Sequence, residues 1–402
     1  RGIVRDPTGG DGPPSDGQGD MKALFYVQHL LGTGHVVRAV AIARALLERG
    51  VEVTLVTGNT LPATLETSGL AIEELPPMRA ADARFSRYVT VDGREVDDAF
   101  RNDRADRLTR LVAETAPDLF LTETFPLGRR QFAFELFPAL EVAGSLPRPP
   151  LIAASVRDIL VRKHEIAKER WMAEVARTFY DVLLVHSDPA FVRLEDSFPF
   201  TADVAEMIRY TGYVYAPSDH IPPEGEGDGE VIVSCGGGPV GYRLLNVALE
   251  ARAHARRATG SWRILVSSEH GANRLAELKA RAGSGTIVEA ARRDFPGLLN
   301  RAAVSISQAG YNTVLDVISA GCPAVLVPFA EEGETEQMQR AQILAERGMA
   351  ELVPEDGVTP ERLAAAADRA LDLEPPDVSL RTDGAAASAE ILIDEMTRRK
   401  GI

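Results

Sequence analysis

A β-branched run that stops at Ser307 and restarts as a helix near Asn312 constrains this chain more than any other stretch. Such a strand-to-helix corner leaves the backbone N–H groups of Gln308, Ala309 and Gly310 free to hold phosphate. Asp316 lies one turn into the helix, within reach of ribose hydroxyls. A second apolar run then ends at Pro328, and an acidic loop leads into another helix carrying Glu336 and Gln337, placed to reach a sugar. Phosphate donors, a ribose carboxylate and a sugar-reading pair therefore follow one another along residues 301–341.

The chain is long enough to surround this corner with two cores. Its 402 residues, 45% hydrophobic with 34 glycines, predict two domains of ~150–200 residues each. A net charge of −15 repels phosphate backbones and anionic surfaces, which argues against nucleic acid as a partner. Cys235 and Cys322 sit in apolar contexts without metal-ligand spacing. They read as buried free thiols of a reducing cytoplasm, with a disulfide as the alternative. No run of ~18 apolar residues predicts a membrane span.

Residues 1–20 are glycine, proline and aspartate with little to bury, and read as a disordered arm or expression remnant before a natural start at Met21. From Lys22 the pattern becomes strand, helix, strand: Ala23 to Gln28, then apolar residues at Val36, Val40, Ala43 and Leu47 ending at Gly50, then VEVTLVTG. That unit implies a parallel sheet. Its first turn holds Gly32, Thr33 and Gly34, and His35 opens the helix, where the positive end of the helix disfavours imidazolium and suits a general base, a capping or packing histidine being the other reading. Residues 60–115 are charged and poorly periodic, and predict a loop region followed by a helix from about Asp97.

Glu123 closes the next strand, on the sheet edge where open α/β folds place chemistry, and can orient His35 as a triad carboxylate does. A cap for the following segment is the other reading. The aromatic stretch around Phe132 and Phe137 reads as a core helix, and a contact with a lipid-linked acceptor is the alternative. Asp158 follows a further strand at the same edge and is a candidate for the acceptor side. His186 and Asp188 end the last strand of the first domain without further ligands at metal spacing, so no metal site is expected.

A proline, glycine and acid-rich linker covers 214–229, between a first domain of 21–213 and a second of 230–384, with 385–402 as a closing helix. The second domain restarts with a strand and the glycine turn Gly236, Gly237 and Gly238. Gly236, Gly238 and Gly241 fit G-x-G-x-x-G, but Pro239 in the turn and the missing acid after the next strand favour a diphosphate cradle over a nicotinamide site. Arg293 and Phe295 are placed to border a nucleotide base.

GTGH after the first strand, the central linker, and SQAGYNTVLDVISAGCPAVLVPF followed by EQMQRA together resemble the GT-B glycosyltransferases. The chain is most similar to family 28, whose best-known member adds N-acetylglucosamine to a lipid-linked muramyl peptide. The resemblance runs from Met21 almost to the end. It implies an α/β fold of two Rossmann-like domains facing across a cleft, with a C-terminal helix crossing back to the first. It also implies diphosphate contacts at Gly34, Gly237, Gly310, Asn312 and Thr313, a ribose contact at Asp316, sugar contacts at Glu336 and Gln337, and a base at His35 with Glu123 as its acid partner. The first turn is shorter than the G-G-T-G-G-H of the peptidoglycan enzyme, and a charged insertion at 331–334 alters the approach to the sugar loop.

The function expected is inverting transfer, without a metal or other cofactor, from a nucleoside diphosphate sugar, with UDP favoured by resemblance, to a small-molecule or lipid-linked hydroxyl acceptor. A cytoplasmic enzyme is expected, with peripheral contact at the inner membrane face. The alternative is a nucleotide-sugar hydrolase or 2-epimerase. A non-catalytic binding module and an NAD-dependent oxidoreductase rank below it.

Overall fold

The computed structural model describes residues 21–401 except 31–33, 63–64, 82–86, 163–164, 216–217, 219, 236–240, 330–334 and 375–379. The expected N-terminal arm and the Gly236–Gly237–Gly238 turn lie outside the described residues.

In the first domain the strands are β1 (Lys22–Val27), β2 (Glu52–Thr57), β3 (Ala71–Glu74), β4 (Met78–Ala80), β5 (Tyr88–Thr90), β6 (Leu119–Glu123), β7 (Leu151–Arg157), β8 (Val182–His186) and β9 (Ile208–Tyr210). Helices α1 (Gly34–Leu47), α2 (Asp98–Thr115), α3 (Ala133–Ser145) and α4 (Ile166–Phe179) lie between them. In the second domain, β10 (Val231–Ser234), β11 (Trp262–Val266), β12 (Thr286–Ala290), β13 (Val304–Ser307), β14 (Ala324–Leu326) and β15 (Glu351–Leu352) alternate with α5 (Tyr242–Ala251), α6 (Gly271–Arg281), α7 (Phe295–Leu299), α8 (Tyr311–Ser319), α9 (Glu336–Glu346) and α10 (Pro360–Ala370). Helix α11 (Gly384–Lys400) closes the chain.

Seven strands form one sheet in the order β3-β2-β1-β6-β7-β8-β9, and six form another in the order β12-β11-β10-β13-β14-β15. The pairings are parallel throughout both sheets. The central strands read as continuous apolar runs because helices cover both of their faces. In each sheet the strand order reverses once, between β1 and β6 and between β10 and β13. Open α/β sheets bind ligands outside the carboxyl ends of the strands at that reversal.

The region 60–115 holds more structure than its composition predicts. β3 joins the sheet edge, and β4 and β5 pair antiparallel. These strands are too short, and β3 too exposed, to leave an alternating pattern. The helix after them starts where expected: the Asp97 side chain accepts from Phe100 N at 2.8 Å, an N-cap.

A buried polar knot braces the loops at the β1 and β2 ends of the first sheet. Arg104 donates to both Glu135 oxygens at 2.7 Å, to Gln28 Oε1 at 2.7 Å and to the carbonyl of Gly58 at 3.2 Å, and Tyr26 donates to Glu135. A Cβ on Gly58 would fall inside Gln28 Oε1 and 2.7 Å from Arg104 Nη2. Gly58→Ala is therefore expected to destabilise the protein by about 3 kcal/mol, since overpacking here also pulls apart a buried ion pair. Thermal unfolding checks it: an unchanged Tm would show that the knot has room to relax.

The chain crosses between the domains twice, side by side. Tyr213 N donates to the carbonyl of Arg381 at 2.6 Å, Gly384 N donates to that of Tyr213 at 3.0 Å, and Val214 pairs with Asp383. A Cβ on Gly384 would lie 2.5 Å from the Gly212 carbonyl, so the two crossings touch backbone to backbone. α11 then returns to the first domain, where Ala389, Leu392 and Met396 share a core with Val36, Val40 and Ala43 of α1. No helix of the described residues is long and apolar enough to cross a membrane.

Candidate active site

Both residues expected to do acid–base work sit at the reversal of the first sheet. His35 opens α1 just beyond β1, and Glu123 is the last residue of β6. His35 Nδ1 lies 3.0 Å from Glu123 Oε1. A carboxylate only accepts, so the ring proton sits on Nδ1 and Nε2 keeps its lone pair for a substrate hydroxyl. Burial, together with the nearby charges of Arg129 and Arg157, lowers the His35 pKa to about 3, against the hydrogen bond it donates to Glu123, which raises it. Burial alone would raise the Glu123 carboxyl, but the charge of Arg38 and the bond to His35 hold it well below the usual carboxylate range.

Arg38 donates to Glu123 Oε1 and lies one turn beyond His35 on the same face of α1. Thr124 follows with φ 73°, an uncommon conformation for a β-branched residue. That geometry brings its Oγ1 to 3.2 Å from both His35 Nδ1 and Glu123 Oε1. Strain of this kind, worth about 1–3 kcal/mol, collects at functional sites.

At the reversal of the second sheet, β13 stops at Ser307 and α8 begins at Tyr311, as the corner at Gln308 and Gly310 predicts. Gln308 is 4% exposed and its Nε2 has no hydrogen-bond partner among the described residues, as is also true of Ser307 Oγ. Buried donors left unpaired at the mouth of a sheet are suited to an anion. Asn312 is exposed and Thr313 is half-buried on the first turn of α8. On the opposite side, Gly34 faces open space, since a Cβ there would meet nothing within 4 Å.

Behind this corner lies a cavity of about 370 Å³ bordered by Tyr215, His220, Pro296, Asn300, Asp316 and Ser319. Asp316 Oδ1 accepts from Tyr215 Oη at 2.6 Å, and burial raises the Asp316 pKa to about 6. The base-bordering pair is displaced: Arg293 is exposed and Phe295 packs into the core between the domains, while Pro296 and Gly297 line the cavity.

Glu336 and Asp158 meet at the domain seam. Arg340 donates to Asp158 at 2.8 and 3.0 Å and to Glu336 at 2.8 Å, and Arg157 donates to the other oxygen of Glu336. Asp158 is 1% exposed, so it serves the seam and not the acceptor side proposed from its place after β7. Its position in sequence cannot show that the arginine balancing it comes from the other domain. Burial would raise the Glu336 carboxyl, but the charges of Arg157 and Arg340 pull it down to about 2. Gln337 turns back into its own loop, accepting from Phe329 N at 3.1 Å.

Tyr311 joins the two halves. Its ring centroid lies 5.9 Å from the Arg38 guanidinium and 5.9 Å from that of Arg340, and it packs on Tyr213 at 5.7 Å. Neither Arg38, Arg340 nor Tyr311 stands out in the sequence. The only signals are the i+3 spacing from His35 and the i+4 spacing from Glu336.

Residues 236–379 match the glycosyltransferase family 28 C-terminal domain. The UDP-N-acetylglucosamine--N-acetylmuramyl-(pentapeptide) pyrophosphoryl-undecaprenol N-acetylglucosamine transferase of Synechococcus elongatus is 31% identical over 150 residues, 37% of this chain and 40% of that protein. The match thus spans well under half of that relative's length. The enzyme of the same name from Solibacter usitatus is 26% identical over 336 residues, 82% of each chain. Among solved structures, MurG of Acinetobacter baumannii superposes with a TM-score of 0.58 at 16% identity, covering 93% of this chain and 99% of that one. Two parallel sheets, each with one reversal of strand order, give this chain the two-domain fold of the GT-B architecture. Its second domain is similar to the C-terminal domain of glycosyltransferase family 28.

Proposed function

We propose that this chain moves a sugar from a nucleoside diphosphate sugar to an acceptor hydroxyl with inversion at the anomeric carbon. The carrying observation is that Tyr311, the first residue after the phosphate corner, contacts Arg38, which itself holds Glu123 beside His35. Base and leaving-group site are thus one side chain apart across the cleft.

In this reading His35 Nε2 takes the acceptor's proton as its oxygen bonds to the anomeric carbon and the bond to the diphosphate breaks. Glu123 stabilises the imidazolium formed. The N-terminal N–H groups of α8 and the unpaired Gln308 amide take up the charge on the departing diphosphate. Asp316 accepts from the ribose hydroxyls, whereas the oxygens of Glu336 are taken by Arg157 and Arg340 and Gln337 bonds its own loop, so the sugar-reading role is not assigned to that pair. Likeness to the transferases named above favours a UDP-sugar and a lipid-linked acceptor met at a membrane surface.

Calorimetric titration with UDP-N-acetylglucosamine tests the donor half. Ribose hydroxyls donate best to an ionised carboxylate, so affinity should fall about tenfold as the pH drops from 7 to 5 through the raised Asp316 pKa. Asp316→Ala should weaken binding ten- to a hundredfold, the worth of hydrogen bonds to a charged group, and flatten that pH dependence. Equal affinity in both proteins would remove Asp316 from the donor site, and no binding at all would remove this donor.

A further inference from the structure

A buried line of hydrogen bonds leaves Glu123 on the side away from His35. Ser155 Oγ donates to Glu123 Oε2 at 2.6 Å, His186 Nε2 lies 2.8 Å from Ser155 Oγ, and Thr211 Oγ1 lies 2.8 Å from His186 Nδ1. Strand register builds it: Glu123 of β6 is level with Ser155 of β7, and His186 ends the neighbouring β8. All four side chains belong to residues no more than 2% exposed. Three polar residues in the interior of a parallel sheet cost desolvation that apolar ones would avoid.

Counting hydrogens gives the line a direction. The carboxylate only accepts, so Ser155 spends its single hydrogen on Glu123. Ser155 can then only accept from His186, whose proton must be on Nε2. That leaves Nδ1 of the neutral ring without a proton, 2.8 Å from Thr211 Oγ1, whose single hydrogen is shared between this nitrogen and the Gly212 carbonyl at 2.7 Å. Burial keeps that ring neutral, lowering its pKa to about 3. From His186 onward the donors point toward Glu123, an arrangement in which each bond strengthens the next.

Both ends have functional neighbours. Thr211 begins the first crossing between the domains, and Tyr311 of the donor domain donates to the carbonyl of His186 at 3.4 Å. We infer that Ser155 and His186 are positioning residues that fix the rotamer of Glu123, and through it the Nδ1–H tautomer of His35, relative to the crossing strand. This rests on His35 being the base of the reaction proposed above.

Two arms test it. In protein labelled with ¹⁵N-histidine, with signals assigned by His35→Gln and His186→Gln, His186 should carry its proton on Nε2 and His35 on Nδ1. Ser155→Ala should abolish the fixed tautomer of His186 and shift the His35 signals. In transfer assays with UDP-N-acetylglucosamine, Ser155→Ala should lower kcat at least about tenfold, the lower end for a lost bond to a charged group, with donor KM unchanged. Ser155→Thr should restore most of the rate. His186→Gln, whose amide can replace the Nε2–H, should outperform His186→Leu, and the two serine variants carry the test if the leucine variant does not fold.

In a Glu123→Ala background, Ser155→Ala should have no further effect, because the pair acts as one unit. A wild-type His186 protonated on Nδ1, or a Ser155→Ala loss that persists undiminished without Glu123, would overturn the inference. The spectroscopic arm needs no substrate. A protein with the stated tautomers but no transferase activity would therefore end the functional reading while keeping the hydrogen-bond line.

Discussion

His35→Ala should lower the transfer rate by about a thousandfold, within the range for removing a positioned general base, while leaving nucleotide affinity within about twofold. The separation follows from where the residues stand. His35 belongs to the first sheet's reversal and the cavity proposed for the nucleoside to the other side of the cleft, so the variant removes the proposed proton acceptor without touching the cavity lined by Asp316. The pH profile adds a second readout. Since burial and the charges of Arg129 and Arg157 lower the imidazole pKa to about 3, the acid limb of kcat/KM attributable to His35 should fall below the range of an ordinary histidine. An acid limb of kcat/KM at an unshifted histidine pKa would count against His35 being buried and neutral in the free enzyme. Full activity in His35→Ala would end the base assignment.

Arg340→Ala should destabilise the protein by about 3–5 kcal/mol, the range for deleting one partner of a buried ion pair. Asp158 and Glu336 are both buried, and Arg340 bonds both; the variant strands Asp158 and leaves Glu336 with Arg157. The sign with pH follows from the depressed Glu336 pKa. A carboxyl lowered to about 2 on folding contributes stability above its unfolded value near 4.5, and that contribution drains away as pH falls toward 2. Wild type should therefore weaken over that window and Arg340→Ala should weaken less. Denaturant unfolding at pH 7 and pH 3 measures both effects, and equal stability of the two proteins at pH 7 would mean that water replaces the guanidinium at the seam.

Much of this was legible in the residues because local pattern and local chemistry coincide at the sheet reversals. Apolar runs ending in glycine turns located β1, β13 and their helices, and with them His35, Gln308 and Gly310. Glu123 was legible for the same reason, as the acid that ends an apolar run. What sequence spacing does not carry is the partner across the cleft. Asp158 lies 182 positions from Arg340, and nothing local distinguishes a carboxylate facing an acceptor from one facing a guanidinium of the other domain. Phe295 falls one residue short of the cavity wall and Arg293 three, because the short α7 presents Pro296 and Gly297 to it instead. Ser155 and His186 were legible only as members of strands, since the line they form depends on the register of three strands at once.

Helix α11 carries the last described segment of the chain back onto α1, close to the first. During synthesis, therefore, the nascent first domain leaves the ribosome with one flank of α1 bare, and stays so until the whole second domain has been translated. Completion of the half that holds His35 is thereby deferred until α11 itself has been made, and a chain cut short before Gly384 would lack the clasp that covers the helix His35 begins.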